Sequence, residues 1–337
     1  MTWRVRGHDA LIAGFRRVVE RGRLAHAYLF TGPVGVGKHL FATDLARALL
    51  CENPPAPLDP CGECHSCVQV DAGSHPDFHP SARPPEALEF PIELMRSLCA
   101  SFALKSARGR GKVIVIDGAD DLNEESANCF LKTLEEPPPR SVLILIGTRK
   151  ERQLPTIVSR CQAVNFTPLP PPLVDAILIE QGITDSATRQ RLVRLAGGSP
   201  GLALTLADPR LWEFRSTLLA GLTGRPVDAV ELAKGWTGFV EEAGKESAAQ
   251  RARAALVLRL VVDFLTDALE VSAGGTPRRT GPEDDRRVRD LAARVDAERL
   301  LALLDRCLDA DDQITRRVQL VLVLEALLDT FAQRLPA

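Results

Sequence analysis

The sequence has no excess of charge of either sign. Its 337 residues include 42 Lys and Arg and 44 Asp and Glu, which gives a formal net charge of −2. This balance argues against a protein that coats nucleic acid through bulk positive charge, although a local basic patch is compatible with it. Hydrophobic residues make up 45% and charged residues 26%, as expected for a soluble globular protein of two or three domains.

Long apolar segments are missing as well. The N-terminus is polar and has no apolar stretch typical of a signal peptide. The most apolar helical stretch, 254–269, is interrupted by Arg259, Asp263 and Asp267, which argues against a membrane span. We therefore expect a cytoplasmic protein with no membrane partner. In that compartment the eight cysteines would not form a disulfide framework, and clustered ones suggest a metal site.

Apolar segments alternate with helical patterns through the first half of the chain, and no internal repeat is present. A polar amphipathic helix is predicted over 3–24. Helical spacing predicts further helices over 92–104 and after Asn123, a plausible N-cap. This alternation predicts an α/β fold with a doubly wound parallel sheet. The predicted strands are 27–30, 76–79, 112–117, 142–146 and 163–166.

A proline-rich linker at 168–172 separates the predicted sheet from an all-helical remainder. We predict an α/β domain at 1–167, a small helical domain at 168–208 and a larger helical domain at 209–337. Helices in the last part are apolar on most sides, which is typical of a bundle or an oligomer interface.

The stretch GPVGVGKH at 32–39 follows a predicted strand and precedes a predicted helix, which is the context of a phosphate-binding loop. Gly32, Gly35 and Gly37 allow backbone N–H groups to surround an anion, and Lys38 neutralises its charge. The last position of the motif departs from the pattern. His39 stands where a Ser or Thr hydroxyl would hold Mg²⁺.

The end of the predicted strand 112–117 also departs from the pattern of an ATPase. Asp117 is suited to hold Mg²⁺ through water, but the next residue is Gly118, where an ATPase of this build usually has a Glu that orients the attacking water. Phosphoryl transfer depends on positioning and charge, so either loss would damage it. The sequence predicts a degenerate nucleotide site. Whether ATP binds there is left open, and hydrolysis is not expected. The alternative is a tight turn without a nucleotide.

Four of the cysteines, Cys51, Cys61, Cys64 and Cys67, fall within a proline-rich insertion at 51–67. Four closely spaced thiolates can complete one tetrahedral centre, and this favours structural Zn²⁺. An iron–sulfur cluster and free surface thiols are the alternatives. The other four cysteines are most simply buried small hydrophobes.

Three segments together resemble the clamp-loader branch of the AAA+ proteins. They are GPVGVGKH, the cysteine insertion, and NCFLKTLEEPPPRSVLILIGTRKERQLPTIVSRCQAVNF at 128–166. The resemblance covers roughly residues 5–205. It implies an AAA+ nucleotide-binding domain with a zinc module, a small helical lid, and an all-α collar that joins five subunits into a ring.

The resemblance also implies roles for single residues. Motor subunits of the family keep the loop hydroxyl, an Asp-Glu strand end and a lid arginine. A second, non-hydrolysing kind has lost such groups but keeps the arginine of Ser-Arg-Cys. His39, Gly118 and Gly201, at the lid position, place this chain with the second kind. Thr148 would be a polar sensor in the degenerate site, and Arg160 would act in trans on the ATP of a neighbouring subunit.

The implied partners are the gamma/tau motor subunits and the delta subunit of DNA polymerase III, with the sliding clamp and primed DNA reached through the complex. Two other functions remain open. One is an active motor ATPase of the gamma/tau kind. The other is a zinc-containing DNA-binding protein that uses the AAA+ fold as a scaffold; basic residues at 105–112 and 149–152 would contact nucleic acid or form solvated loops.

Overall fold

The structure is a computed structural model that describes residues 3–87, 89–282 and 284–335. In this part of the chain five strands form one parallel sheet in the order β2-β3-β4-β1-β5. The predicted parallel sheet is therefore confirmed, with strand ends shifted by at most a few residues. The strands are β1 (Ala27–Thr31), β2 (Phe78–Ala82), β3 (Val113–Asp117), β4 (Val142–Ile146) and β5 (Gln162–Asn165).

Helices cover both faces of the sheet, because successive side chains of a strand point to opposite faces. Tyr28 and Phe30 pack on one face with Phe41, whereas Leu29 packs on the other face with Phe130. Asn123 caps its helix as predicted, since its side-chain oxygen accepts a hydrogen bond from the N–H of Ser126. These helices are α1 (Asp9–Glu20), α2 (Lys38–Leu50), α3 (His65–Asp71), α4 (Ile92–Ala103), α5 (Glu124–Glu135) and α6 (Pro155–Val158).

The predicted helix over 3–24 is shorter in the structure, because its first residues are extended. The backbone N–H groups of Arg4 and Val5 donate to the fully buried carboxylate of Asp44, at 2.7 and 3.0 Å. Gly7 then takes a positive φ of 80°, and α1 begins at Asp9. This anchored segment brings His8 to the loop that follows β1.

The parallel arrangement brings the carboxyl ends of three strands together. Phe30 of β1 and Asp117 of β3 are both in register with Ile146 of β4. The loops that follow these strands therefore meet at one edge of the sheet, where ligand sites of open α/β sheets form.

The remainder of the described chain is helical, as predicted. It contains α7 (Pro171–Glu180), α8 (Ser186–Ala196), α9 (Pro200–Thr205), α10 (Pro209–Thr223), α11 (Ala229–Glu241), α12 (Ser247–Ser272), α13 (Asp285–Arg294), α14 (Ala297–Thr315) and α15 (Leu320–Arg334). None of the helices described has the length and apolar character needed to cross a membrane.

The chain divides into two compact units. The first contains the residues up to Arg189 together with Ala196–Leu204, and the second contains Gln190–Leu195 together with the residues from Thr205 onward. The boundaries at 168 and 209 stay predictions. In the second unit, α12 packs against α13 and α14. The buried carboxylate of Asp267 on α12 accepts hydrogen bonds from the N–H groups of residues 278–280 and so fixes the loop before α13.

Candidate functional site

The glycine-rich loop lies between β1 and α2, as the sequence predicts. Gly35 and Gly37 have positive φ values of 77° and 102°, which side chains with a Cβ rarely adopt. At Gly32 a Cβ would lie 2.2 Å from the carbonyl oxygen of Phe166. The three glycines of the motif are therefore required by the conformation of the loop itself.

Lys38 lies at the start of α2 and folds back on this loop. Its Nζ donates to the carbonyl oxygens of Gly32 and Pro33, each at 2.6 Å. Burial lowers the pKa of its ammonium group, while the carboxylates of Asp117 and Asp120 oppose that shift. The cation is thus held beside the loop where the phosphates of a nucleotide would lie.

His39 and Asp117 contact each other at this site. The His39 Nδ1 lies 3.0 Å from the Asp117 Oδ2. A hydroxyl at the first position and a carboxylate at the second would both face Mg²⁺ in an ATPase. Here the two side chains bond to each other, and an imidazole replaces the oxygen ligand that Mg²⁺ prefers.

A cavity of about 530 Å³ opens at this edge of the sheet. It brings together most of the predicted nucleotide site, namely Gly35, Gly37, Lys38, His39, Asp117 and Thr148, as well as Gly118. The N–H of Thr148 donates to the Asp120 Oδ2 at 2.8 Å. Gly32 is not among the lining residues, since it packs against Phe166.

Two residues that sequence reasoning missed also hold the loop. The Ser199 Oγ donates to the carbonyl of Val34 at 2.8 Å, and the His8 Nε2 lies 2.8 Å from the carbonyl oxygen of Val36. No sequence signal marks His8, because its role depends on the extended segment before α1. Together with Lys38 and the N–H of Gly201, these groups bond to the carbonyls of five successive loop residues, 32–36.

The packing of α9 on the loop is unusually close. The N–H of Gly201 donates to the Gly35 carbonyl at 3.0 Å, and a Cβ on Gly201 would lie 2.8 Å from the Gly35 Cα. Any side chain at residue 201 would therefore push α9 away from the loop. An arginine side chain therefore does not fit at this position.

The four predicted cysteines meet in one cluster. The sulfurs of Cys51, Cys61, Cys64 and Cys67 all lie within 4.8 Å of one another. Three of the pairs are separated by 3.6 to 3.9 Å. Four sulfurs about 2.3 Å from a tetrahedral metal ion would be separated by about 3.8 Å. The spacing and the donor set thus fit one tetrahedral metal ion.

Backbone groups around the sulfurs favour thiolates. The N–H groups of Cys61, Cys64 and Cys67 donate to the preceding cysteine sulfur of the cluster at 3.3 to 3.4 Å. Burial opposes ionisation of Cys64, but hydrogen bonds from the backbone of Cys67 and Glu52 prevail and lower its pKa to about 6. Burial raises the pKa of the Cys67 thiol. The cluster therefore acquires one negative charge readily, and a bound cation would favour ionisation of the remaining thiols.

A buried polar network holds the cysteine segment against the sheet. The Ser66 Oγ bonds to His75 Nε2 at 3.0 Å, and the Arg108 guanidinium contacts both Ser66 and Glu52. The buried carboxylate of Asp77 accepts the N–H groups of Ala107 and Arg108 at 2.7 and 3.0 Å. Sequence reasoning did not find this network, since its members are far apart along the chain.

Arg160 lies away from the cavity, directly after α6. Its Nε and Nη2 donate to the Glu135 Oε1 at 2.9 and 2.5 Å, and its Nη1 donates to the Thr156 carbonyl at 3.0 Å. One third of the Arg160 side chain and half of the Glu135 side chain remain exposed. In the isolated chain the guanidinium therefore pairs with a local acid at the surface.

Comparison with known proteins gives consistent matches. A family model described as the DNA polymerase III delta subunit matches residues 7–170. The delta-prime subunit of DNA polymerase III from Pseudomonas aeruginosa is 36% identical over 223 residues, which are 64% of this chain and 67% of that protein. The Escherichia coli delta-prime subunit is 29% identical over 297 residues, which are 88% of this chain and 84% of that protein.

A tau subunit is also similar, over a shorter part of the chain. The tau subunit of Escherichia coli DNA polymerase III is 36% identical over 208 residues, which are 60% of this chain and 32% of that protein.

The contact between α9 and the loop gives a first prediction. Gly201→Ala should destabilise the first unit by about 1–3 kcal/mol, because the added methyl group overpacks against Gly35. Gly235→Ala is the matched control, since Gly235 is an exposed helical glycine with open space around it. The control should be neutral or stabilise by up to about 1 kcal/mol. Urea denaturation measures the stability of both variants, and amide exchange of residues 34–37 reports on the loop. Equal changes in stability in the two variants would contradict the packing argument.

Proposed function

Because the chain belongs to the family of DNA polymerase III delta-prime subunits, we propose that it is a non-hydrolysing subunit of a bacterial clamp loader. In this proposal it supplies Arg160 to the ATP of a neighbouring motor subunit while the complex loads a sliding clamp on primed DNA. The partners are the gamma/tau motor subunits and the delta subunit, and the helical domain from residue 209 onward joins them as a collar.

The His39–Asp117 hydrogen bond is the observation that carries the non-hydrolysing part of this proposal. Hydrolysis needs Mg²⁺ to bridge the phosphates and a group that orients the attacking water. His39 bonds to the carboxylate that would serve the ion, and Gly118 has no side chain to orient water. Lys38 and the loop glycines are retained. The proposal therefore concerns the hydrolysis of ATP and makes no claim about its binding.

Two features support the trans role of Arg160. It lies at the surface after the end of α6, and a guanidinium offers planar donors to a phosphate. Its ion pair with Glu135 is exposed, and exposed ion pairs contribute only about 0–1 kcal/mol to stability. A phosphate of a neighbouring subunit carries more negative charge than this carboxylate and would displace it at small cost.

The cysteine cluster is proposed to hold a structural Zn²⁺. Four sulfur donors with no open position are typical of such sites, and a bound ion would fix the segment 51–67 that otherwise has little regular structure. None of the four cysteines lines the nucleotide cavity, so the ion would have no part in phosphoryl transfer.

Metal content tests the zinc proposal. Protein purified without chelator should contain about one Zn²⁺ per chain, and Cys64→Ser should lose it and increase amide exchange in residues 51–67. The sheet should persist, because other segments form most of its core. Cys129→Ser serves as the control and should keep the metal, since Cys129 lies outside the cluster. Wild-type protein free of zinc, or a different metal in its place, would contradict the proposal.

Arg160→Ala in the assembled clamp loader tests the central role. The variant should slow clamp loading and DNA-stimulated ATP hydrolysis, because one active site loses a charge worth roughly 10³–10⁵ in rate in related phosphoryl-transfer systems. The total rate should fall less, since the other sites of the ring keep their own arginines.

Two controls accompany this measurement. Gel filtration must show that the ring still forms. Arg96→Ala, which removes an exposed arginine of α4 that does not line the cavity, should load clamps at the wild-type rate. A ring with Arg160→Ala that also loads clamps at the wild-type rate would show that Arg160 only serves its contacts with Glu135 and Thr156.

A further inference from the structure

Strand β5 is an uncovered edge of the sheet, and it forms one wall of a groove. Within the part of the chain that the structure describes, β5 pairs with β1 alone. The groove runs between β5 and α1 and has a volume of about 410 Å³. It lies wholly within the first unit and is separate from the nucleotide cavity.

The backbone of β5 offers free hydrogen-bonding groups to this groove. The N–H of Phe166 donates to the carbonyl of Thr31 at 2.7 Å, toward β1. Backbone groups of a strand alternate in direction, so those of Ala163 and Asn165 point away from β1. An unpaired row of this kind is a template for one more strand.

The facing helix is shaped for a close approach. Gly14 lies in the middle of α1 and lines the groove, and a Cβ built on it meets no atom within 4 Å. Glycine inside a helix is unfavourable relative to alanine, and no packing contact with the described residues requires it. A glycine here leaves room for the backbone or side chains of an added strand.

The electrostatics of the groove indicate the chemistry of its occupant. Its walls are apolar, with Leu11, Val18 and Val164, and its rim carries the exposed Arg17 and Arg21. No carboxylate is found among the described residues that line it. Arg17 and Arg21 form no ion pair with any residue that the structure describes, whereas the adjacent Arg16 pairs with Asp59.

We propose that this groove binds an extended acidic segment of a partner protein, which adds to β5 as a sixth strand. Main-chain hydrogen bonds to Ala163 and Asn165 hold the segment, apolar side chains of alternate residues enter the groove, and carboxylates pair with Arg17 and Arg21. Gly14 provides the space between this strand and α1.

A peptide of alternating glutamate and valine, nine residues long, is the probe. The full-length chain should bind it by fluorescence anisotropy, and binding should slow amide exchange of residues 162–166. The same peptide with lysine in place of glutamate should bind at least tenfold more weakly. Charge reversal at Arg17 and Arg21, by the double change R17E/R21E, should invert this preference.

Gly14→Ala separates docking from folding. It should raise the melting temperature by about a few degrees, because it removes a helix-interior glycine, and yet weaken peptide binding at least tenfold. Gly238→Ala is the matched control, since this exposed glycine of α11 also has open space around it and lies far along the chain from the groove. The control should raise the melting temperature and leave binding unchanged.

Two results would overturn the proposal. One is the absence of protection in β5 at millimolar concentrations of the acidic peptide. The other is binding that Gly14→Ala leaves at the wild-type level, because the peptide would then lie elsewhere.

Discussion

The hydrogen bond between His39 and Asp117 is the interaction on which the functional reading of this chain depends. It occupies the point where two parallel strands and the helix after the glycine-rich loop meet. In an ATPase of this build, a hydroxyl and a carboxylate would face a shared Mg²⁺ ion at this point. In this chain an imidazole contacts the carboxylate instead.

The glycine-rich loop beside this contact is held by many hydrogen bonds and packing contacts. Each carbonyl of residues 32–36 accepts a hydrogen bond from within the first unit. Gly201 brings α9 into contact with Gly35, and this contact leaves no room for a side chain at residue 201. These contacts fix the conformation of the loop.

Much of the α/β fold could be predicted from sequence, because buried parallel strands are short apolar runs with sharp ends. Residues 142–146 are such a run and form β4 as predicted. The cysteine cluster was also predictable, since three of its ligands are close along the chain. What local pattern could not predict are contacts made by distant residues. His8, Ser199 and Glu135 acquire their partners only when the chain folds, and the short helix α1 results from the buried carboxylate of Asp44.

ATP turnover by the isolated chain tests the account most directly. At saturating ATP and Mg²⁺ the account predicts no hydrolysis above background, and His39→Thr alone should not create it because Gly118 still cannot orient water. Hydrolysis by the wild-type chain that is abolished by Lys38→Ala would contradict the account and identify an active motor subunit.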